Sequence, residues 1–405
     1  AAPILKLVIS SCARDQLMDT PESFTALPPE VLSIICKHAG VAAVVRFCAV
    51  SKEWREATLQ WAAERSRLDV GSVLRRYKQS PSEEFIMRLV PFFPNLEAIS
   101  LNSWRWPETF PDVAALIMQN YSSERLRCFE CKAHPIILAD LKNLSLGCPN
   151  ITKLVLSGCA VVDDKFLVHE LRPLWPSSLS EIDISDCKAV TKGGLAAVVS
   201  YVPTVKAYRL QRVSGTMVLS APERTRDQTG TITISGCRNL QHLVVHDNVR
   251  ATELRLSDNQ TLSTVSIDGP LATSVILSGC KSLAGMGLKC PKLKSLNMNL
   301  CTRLRLVEID HLQNLEVLSL NGNSMLEEIS LNLPYLEKLD TAGCKKVHLM
   351  QVTCPNLREL KFPTKARSIH LNVRCHAEAD FTGFRPEWYT DRGYPLMRIT
   401  SRQEM

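Results

Sequence analysis

The chain has no apolar run near the roughly 18 residues a helix needs to cross a bilayer, so no membrane span is expected. It also lacks any run of Lys and Arg. The net charge of +7 is mild and dispersed over 405 residues, which argues against nucleic acid as the partner. A phosphate-cradling glycine loop, a His-Glu metal helix and a Gly-x-Ser-x-Gly elbow are all missing. Catalysis is therefore not expected, and neither is a cofactor or metal. The opening residues, AAPILKLVISSC, begin without Met and hold a short apolar stretch. Without a basic lead-in they do not form a full secretory signal; they read as the remnant of a longer chain or a processed targeting segment.

What is present describes a folded binding protein. Hydrophobic residues make up 45% and charged residues 22%, so most of the chain has enough apolar surface to fold. The length allows two or three compact domains, or one long repeat array with an appendage. Cysteine is abundant and odd in number, at 15. Disulfide frameworks belong to small secreted chains short of core. Here most cysteines recur once per repeat, where a small buried side chain is wanted, so they read as reduced core thiols of a cytoplasmic or nuclear protein.

From about residue 94 one frame recurs: two apolar residues separated by one, then Cys or Asn three further on. It appears as CPNITKLVLSGC, SSLSEIDISDC, ATELRLSDN, ATSVILSGC, LQNLEVLSLNGN and LPYLEKLDTAGC, among others. The second apolar residue falls at Leu101, Cys131, Leu156, Ile184, Leu210, Ile234, Leu256, Leu277, Met298, Leu320, Thr341 and Phe362. The steps are 30, 25, 28, 26, 24, 22, 21, 21, 22, 21 and 21 residues. Cys159, Cys187, Cys237, Asn259, Cys280, Cys301, Asn323 and Cys344 occupy the position three beyond. A chain turning sharply out of a strand leaves backbone groups facing the core, and an Asn amide, or a thiol more weakly, can bond them in a stacked ladder. Cys128 and Cys131, with His134, imitate a zinc spacing, but on a strand the two cysteines point to opposite faces.

This frame resembles the cysteine-containing class of leucine-rich repeats, which implies an α/β solenoid. Longer early steps leave room for helices, and PDVAALIMQNY and KGGLAAVVSYV have helical apolar spacing. The 21–22-residue steps do not. There a second apolar set, such as Leu262/Val265/Ile267 and Leu326/Ile329/Leu331, predicts an extended segment on the convex side. The concave strand face should present Lys153, Glu181, Asp183, Arg209, Arg255, Asn297, Asn299, Asn321, Lys338, Asp340 and Lys361, with His242 and Glu359 beside them. That face is the expected substrate-binding surface, mixed in sign and with no dominant basic cluster.

Residues 21–66 differ in kind. Pro28 and Pro29 open a helical pattern, Val41 to Cys48 is small and apolar, and Ser51 is an N-cap residue before Trp54 and Trp61. Three short helices cannot easily bury all these apolar groups, and an exposed apolar patch marks a partner site. The stretch LPPEVLSIICKHAGVAAVVRFCAVSKEWREAT resembles the F-box motif, and F-boxes followed by cysteine-type leucine-rich repeats form a recurring family. The resemblance implies a substrate receptor of a Skp–cullin–F-box ubiquitin ligase. Leu27, Pro28, Val31, Leu32, Ile35, Val45, Val50 and Trp54 would then face a Skp-type adaptor and, through it, a cullin; some of them, Leu32 and Val45 especially, also read as the module's own core. Ser51 stands where the family usually has Cys, and Gly40-Val41 replaces its polar turn. Those departures leave room for a structural or scaffold subunit outside any ligase. The expected organisation is a tail at 1–20, the F-box-like module at 21–66, linker and capping helices at 67–93, the solenoid at 94–374 and a cap or tail at 375–405.

Overall fold

The computed structural model describes residues 27–39, 41–71, 89–101, 113–133, 135–221, 229–361, 368–372, 378–379, 384–391 and 394–401. The chain divides into two compact units, residues 1–155 with 174–179, and residues 156–173 with 180–405.

The first unit opens with helices Pro29–His38, Val41–Phe47 and Lys52–Ala63. Ser51 caps the third, its Oγ accepting the Trp54 backbone N–H at 3.3 Å. Leu32, Ile35, Cys36, Val44, Trp54 and Trp61 are buried. The Phe47 and Trp54 rings meet at 4.7 Å between centroids. Thr58 is buried among them and satisfies its hydroxyl locally, donating to the Arg55 carbonyl at 2.9 Å. The third helix packs on the first coil: Trp61 and Phe93 lie 5.9 Å apart, and the Asn95 amide donates to the Ala63 carbonyl at 2.8 Å.

A parallel sheet begins at once. Arg67–Asp69 pairs with Ala98–Ser100, which pairs with Cys128–Glu130, which pairs with Lys153–Val155. The stretch 67–93, expected to be linker and caps, thus contributes a strand of the array. The strand signal there is weak, because only Leu68 and Val70, both buried, alternate. Helices Val113–Asn120 and Leu138–Gly147 return the chain behind these strands, as the longer steps require.

The second unit continues the same construction with two walls. Its front sheet runs in parallel register from Glu181–Asp183 through Thr204–Tyr208, Gly230–Ser235, Ala251–Arg255, Ser274–Ile276, Ser295–Asn297, Val317–Ser319 and Lys338–Asp340 to Glu359–Lys361. Helix Lys192–Tyr201 backs the first of these coils. Gly194 belongs there because a Cβ would strike the Asp164 carboxylate, which accepts the Thr191 N–H at 2.8 Å. Further on the backing becomes extended. Ser214–Leu219, Asn239–Val245, Thr264–Asp268 and Gly285–Lys289 form one parallel back sheet. Leu306–Ile309, Glu328–Asn332, Leu349–Thr353 and Ser368–Asn372 form another. The back strands start two coils before the first apolar set, Leu262/Val265/Ile267. Leu262, Val265, Ile267, Leu326, Ile329 and Leu331 are all buried. Strands Phe384–Asp391 and Tyr394–Ser401 form an antiparallel pair, and the latter also pairs antiparallel with Ser368–Asn372. This hairpin covers an edge that a parallel stack leaves open.

The inward register holds at every described position but one: Leu101, Cys131, Leu156, Ile184, Ile234, Leu256, Leu277, Met298, Leu320 and Thr341 are all fully buried. Phe362 lies outside the described residues. One coil corrects the reading. Ala207, not Leu210, aligns with Ile234, and Val205 aligns with both Ile182 and Ile232. The pairs Val205/Ala207 and Tyr208/Leu210 alternate equally well, so the sequence offered two registers three residues apart. Packing chose the pair that places Tyr208 outward.

Among the described residues, the corners from Cys131 onward turn alike. The residue two beyond the inward position has positive φ: Ala133, Gly158, Asp186, Arg209, Gly236, Asp258, Gly279, Leu300, Gly322 and Gly343. The next residue is the ladder position. The Asn259 Nδ2 donates to the carbonyls of Ile234 at 2.7 Å and Leu256 at 2.8 Å, and its Oδ1 accepts the Cys237 N–H at 2.9 Å. Asn323 repeats this on Met298 and Cys301, at 3.0 and 2.7 Å. The thiols of Cys187, Cys280, Cys301 and Cys344 donate to Leu156, Leu256, Leu277 and Leu320 at 3.3, 3.1, 3.2 and 3.1 Å. In each case the acceptor is the inward residue one coil back. Burial pushes these thiols up, to about 12 for Cys187, Cys280 and Cys301 and about 11 for Cys344. They remain protonated donors at neutral pH, as the ladder requires, and are poor nucleophiles.

Candidate functional site

Along much of the front sheet the residues flanking a buried central position are at least half-exposed, such as Ser274 and Ile276 around Val275, while Thr233 and Ser235 are buried. In the first unit Glu130 and Arg67 pair at 2.9 Å, and Cys128, half-exposed, stands beside Lys153 in register. Cys131 is buried, so Cys128 and Cys131 do face apart. His134 lies outside the described residues.

In the second unit the expected face falls into three parts. At one end Glu181 binds Lys206 at 2.5 Å, and Asp183 turns back to accept the Ser185 N–H at 2.9 Å. Arg255 binds Glu253 at 2.9 Å. At the other end Lys338 meets Glu359 at 3.3 Å, while Lys361 lies 3.7 Å from both Asp340 and Glu359. Between them the coils bearing Ser274, Ile276, Ser295, Asn297, Val317 and Ser319 carry no charge on this face. Asn299 is held by its neighbours: its Oδ1 accepts from Ser319 Oγ at 2.7 Å and the Asn321 N–H at 2.8 Å, and its own N–H donates to Asn297 Oδ1 at 3.0 Å. Three of the expected binding residues therefore help form the corners.

Arg209 is a correction. The three-residue shift moves it from the strand face to the positive-φ corner, where it is exposed and pairs with Asp186 at 2.6 Å. Lys206 takes its place on the face. Lys206 and Glu253 were missed by the sequence reading, the first because of the register and the second because only one flank of that strand was considered. His242 lies in a back strand, its Nδ1 2.6 Å from Thr264 Oγ1. The result is a sheet face whose charges are locally neutralised, with a small uncharged polar stretch in the middle. It offers shape and hydrogen bonding rather than a field.

On the N-terminal helices the eight expected adaptor-facing residues separate by burial. Val31 is 37% exposed and Val50 is 50% exposed; Pro28 is exposed and Leu27 half-buried. Leu32, Ile35 and Trp54 are buried in the helices' own core, Trp54 at 3% exposure. The Val45 side chain lies outside the described residues. Ile34 and Leu59, not singled out from the sequence, are exposed aliphatics on the first and third helices.

No group of three or more His, Cys, Asp or Glu among the described residues is arranged to hold a metal ion. No helix among them is long and apolar enough to cross a membrane. No family model matches the chain. Among solved structures it is similar to the leucine-rich repeat domain of the type III effector XopL, at 15% identity and TM-score 0.35, covering 82% of this chain and 97% of that one. It is also similar to a leucine-rich repeat protein from Bacteroides ovatus, at 14% identity and TM-score 0.28 over 64% of this chain and 79% of that one. A third likeness is to the complex of Rad7 and Elc1 in yeast, at 14% identity and TM-score 0.27 over 87% and 92%. Likenesses this loose add nothing to the coil geometry, which is itself that of a leucine-rich-repeat-like solenoid with helices in its N-terminal part.

Proposed function

We propose that the chain is the substrate-recognition subunit of a Skp–cullin–F-box ubiquitin ligase, its N-terminal helices docking on a Skp-type adaptor and its front sheet holding a protein substrate. The observation that carries this reading is the exposure of Val31, Ile34, Val50 and Leu59 on a three-helix module whose core is already filled by Trp54, Leu32 and Ile35. Aliphatics left outside a complete core are the raw material of an interface. A stack of parallel coils, with one sheet face open along its length, suits the capture of another protein.

Co-purification with a Skp-type adaptor tests this, using Val31→Asp together with Val50→Asp. Both sites are exposed, so the helices should fold while adaptor binding is lost. Trp54→Ala is not diagnostic: it empties a buried site, at about 3–5 kcal/mol, and would remove the module along with any interface. The second reading, a structural subunit outside any ligase, is favoured by the burial of Trp54, which takes the largest aromatic of the set out of a partner's reach. Failure of the intact chain to retain an adaptor, with stable incorporation in a larger assembly, would decide for it.

A further inference from the structure

In the second unit the two residues after each ladder position form the rim where the coil leaves the front sheet. Across the eight coils from Ile184 to Thr341 these positions hold Lys188, Arg212, Arg238, Lys281, Arg303 and Lys345, and no acidic residue. Lys346 adds a second cation to the last coil. All seven are exposed, and none makes an ion pair among the described residues. Several charged groups elsewhere on these coils are paired. On the rim where the chain enters the front strands, Lys294 binds Glu316 at 2.8 Å and Arg358 faces Glu337 at 3.7 Å. The front face is neutralised pair by pair, as described above. Acids beside the stripe are engaged elsewhere: Asp186 by Arg209, Asp258 packed over Gly279, and Asp163, whose backbone bridges Ala189, by the Phe166 N–H at 2.8 Å.

The backbone beneath the stripe is fixed. Asn239 Nδ2 donates to the Gln211 carbonyl at 3.0 Å, Thr261 Oγ1 to the Arg238 carbonyl at 2.9 Å, and Thr302 Oγ1 to the Lys281 carbonyl at 3.4 Å. Each of these three turns is thus tied to the next coil, and the stacked strands set the charges at a spacing of about 4.8 Å, or twice that where a coil lacks one. Over eight coils the stripe is about 34 Å long.

We propose that this rim binds an acidic, extended segment of a protein partner, laid across the coils with its carboxylates on the Lys and Arg side chains. The proposal rests on reading the array as the capturing part of the chain. A polypeptide fits better than single-stranded nucleic acid because neither rim position carries an aromatic in any of the eight coils, and base stacking needs such platforms.

The test is fluorescence anisotropy with a labelled peptide of alternating Glu and Ser, roughly twelve residues and about 40 Å when extended. Lys281→Glu with Arg303→Glu should weaken binding about tenfold or more at low ionic strength, and should flatten its salt dependence. Lys165→Glu with Lys292→Glu, an equal change of charge on exposed residues off the stripe, should leave it within about twofold. Equal loss in both variants, absence of saturable peptide binding, or tighter binding of a mixed-sequence oligonucleotide or of phosphatidylserine vesicles would overturn the proposal. Adaptor co-purification of the same variants reads the ligase role separately. An adaptor retained without peptide binding removes only the rim, and peptide binding without an adaptor removes only the ligase.

Discussion

Asn259 offers the sharpest test of how the coils are held. It is fully buried and makes bonds of 2.7, 2.8 and 2.9 Å to Ile234, Leu256 and Cys237. Asn259→Leu keeps the branched shape, in a somewhat larger side chain, but deletes all three. The Leu256 carbonyl still has the Cys280 thiol at 3.1 Å, whereas the Ile234 carbonyl and the Cys237 N–H lose the partners that Asn259 gave them. A stranded buried group costs about 1–3 kcal/mol, so the loss should be roughly 2–6 kcal/mol. Cys280→Ala deletes one weak thiol bond to a carbonyl that Asn259 also serves, and should cost about 1–2 kcal/mol including the small cavity. Asn259→Cys should fall between, because a thiol can donate to Ile234 but does not replace the acceptor for Cys237. Urea denaturation followed by circular dichroism gives the three values from their midpoints. If Asn259→Leu costs no more than Cys280→Ala, the side-chain ladder is not what closes the corners.

Three further outcomes follow from the same geometry. Leu300 is 54% exposed and sits at φ +58°, a conformation that costs an L-residue about 1–2 kcal/mol; Leu300→Gly should raise the melting temperature, and a clear fall would show that its contact with Gly322 matters more than the strain. Gly279→Ala should do the opposite, since φ is +77° and the added Cβ meets the Asp258 carboxylate; an unchanged melt would refute the clash. Among the described cysteines, brief alkylation of the folded protein should label Cys48 and Cys128, which are half-exposed, and spare the buried ones; mass spectrometry showing Cys280 or Cys301 labelled as fast as Cys48 would contradict their burial. Those two thiols are pushed from 9.0 to about 12 by burial. The folded state therefore holds their protons more tightly, so the stability they add is complete below pH 9.0 and falls as pH rises toward 12. Denaturation midpoints that hold steady above pH 9 would count against that linkage.

The repeat was legible because its cause is local. An inward residue, a left-handed corner and a buried Asn or Cys must follow one another within four residues, and Leu256-Ser257-Asp258-Asn259 or Leu320-Asn321-Gly322-Asn323 states that rule without help from the rest of the chain. The same locality made Ser51 recognisable as a helix cap. It also set the limit, since Val205/Ala207 and Tyr208/Leu210 satisfy the alternation equally, and only pairing with Ile182 and Ile232 settled which faces the core. Trp54 and Val31 looked alike as interface residues; packing against Phe47 buried one and left the other in solvent. The basic rim was invisible in the sequence, where its cations stand about one per coil and never form a run. Side chains 22 to 43 residues apart are brought into one row only because parallel strands stack their coils at a spacing of about 4.8 Å.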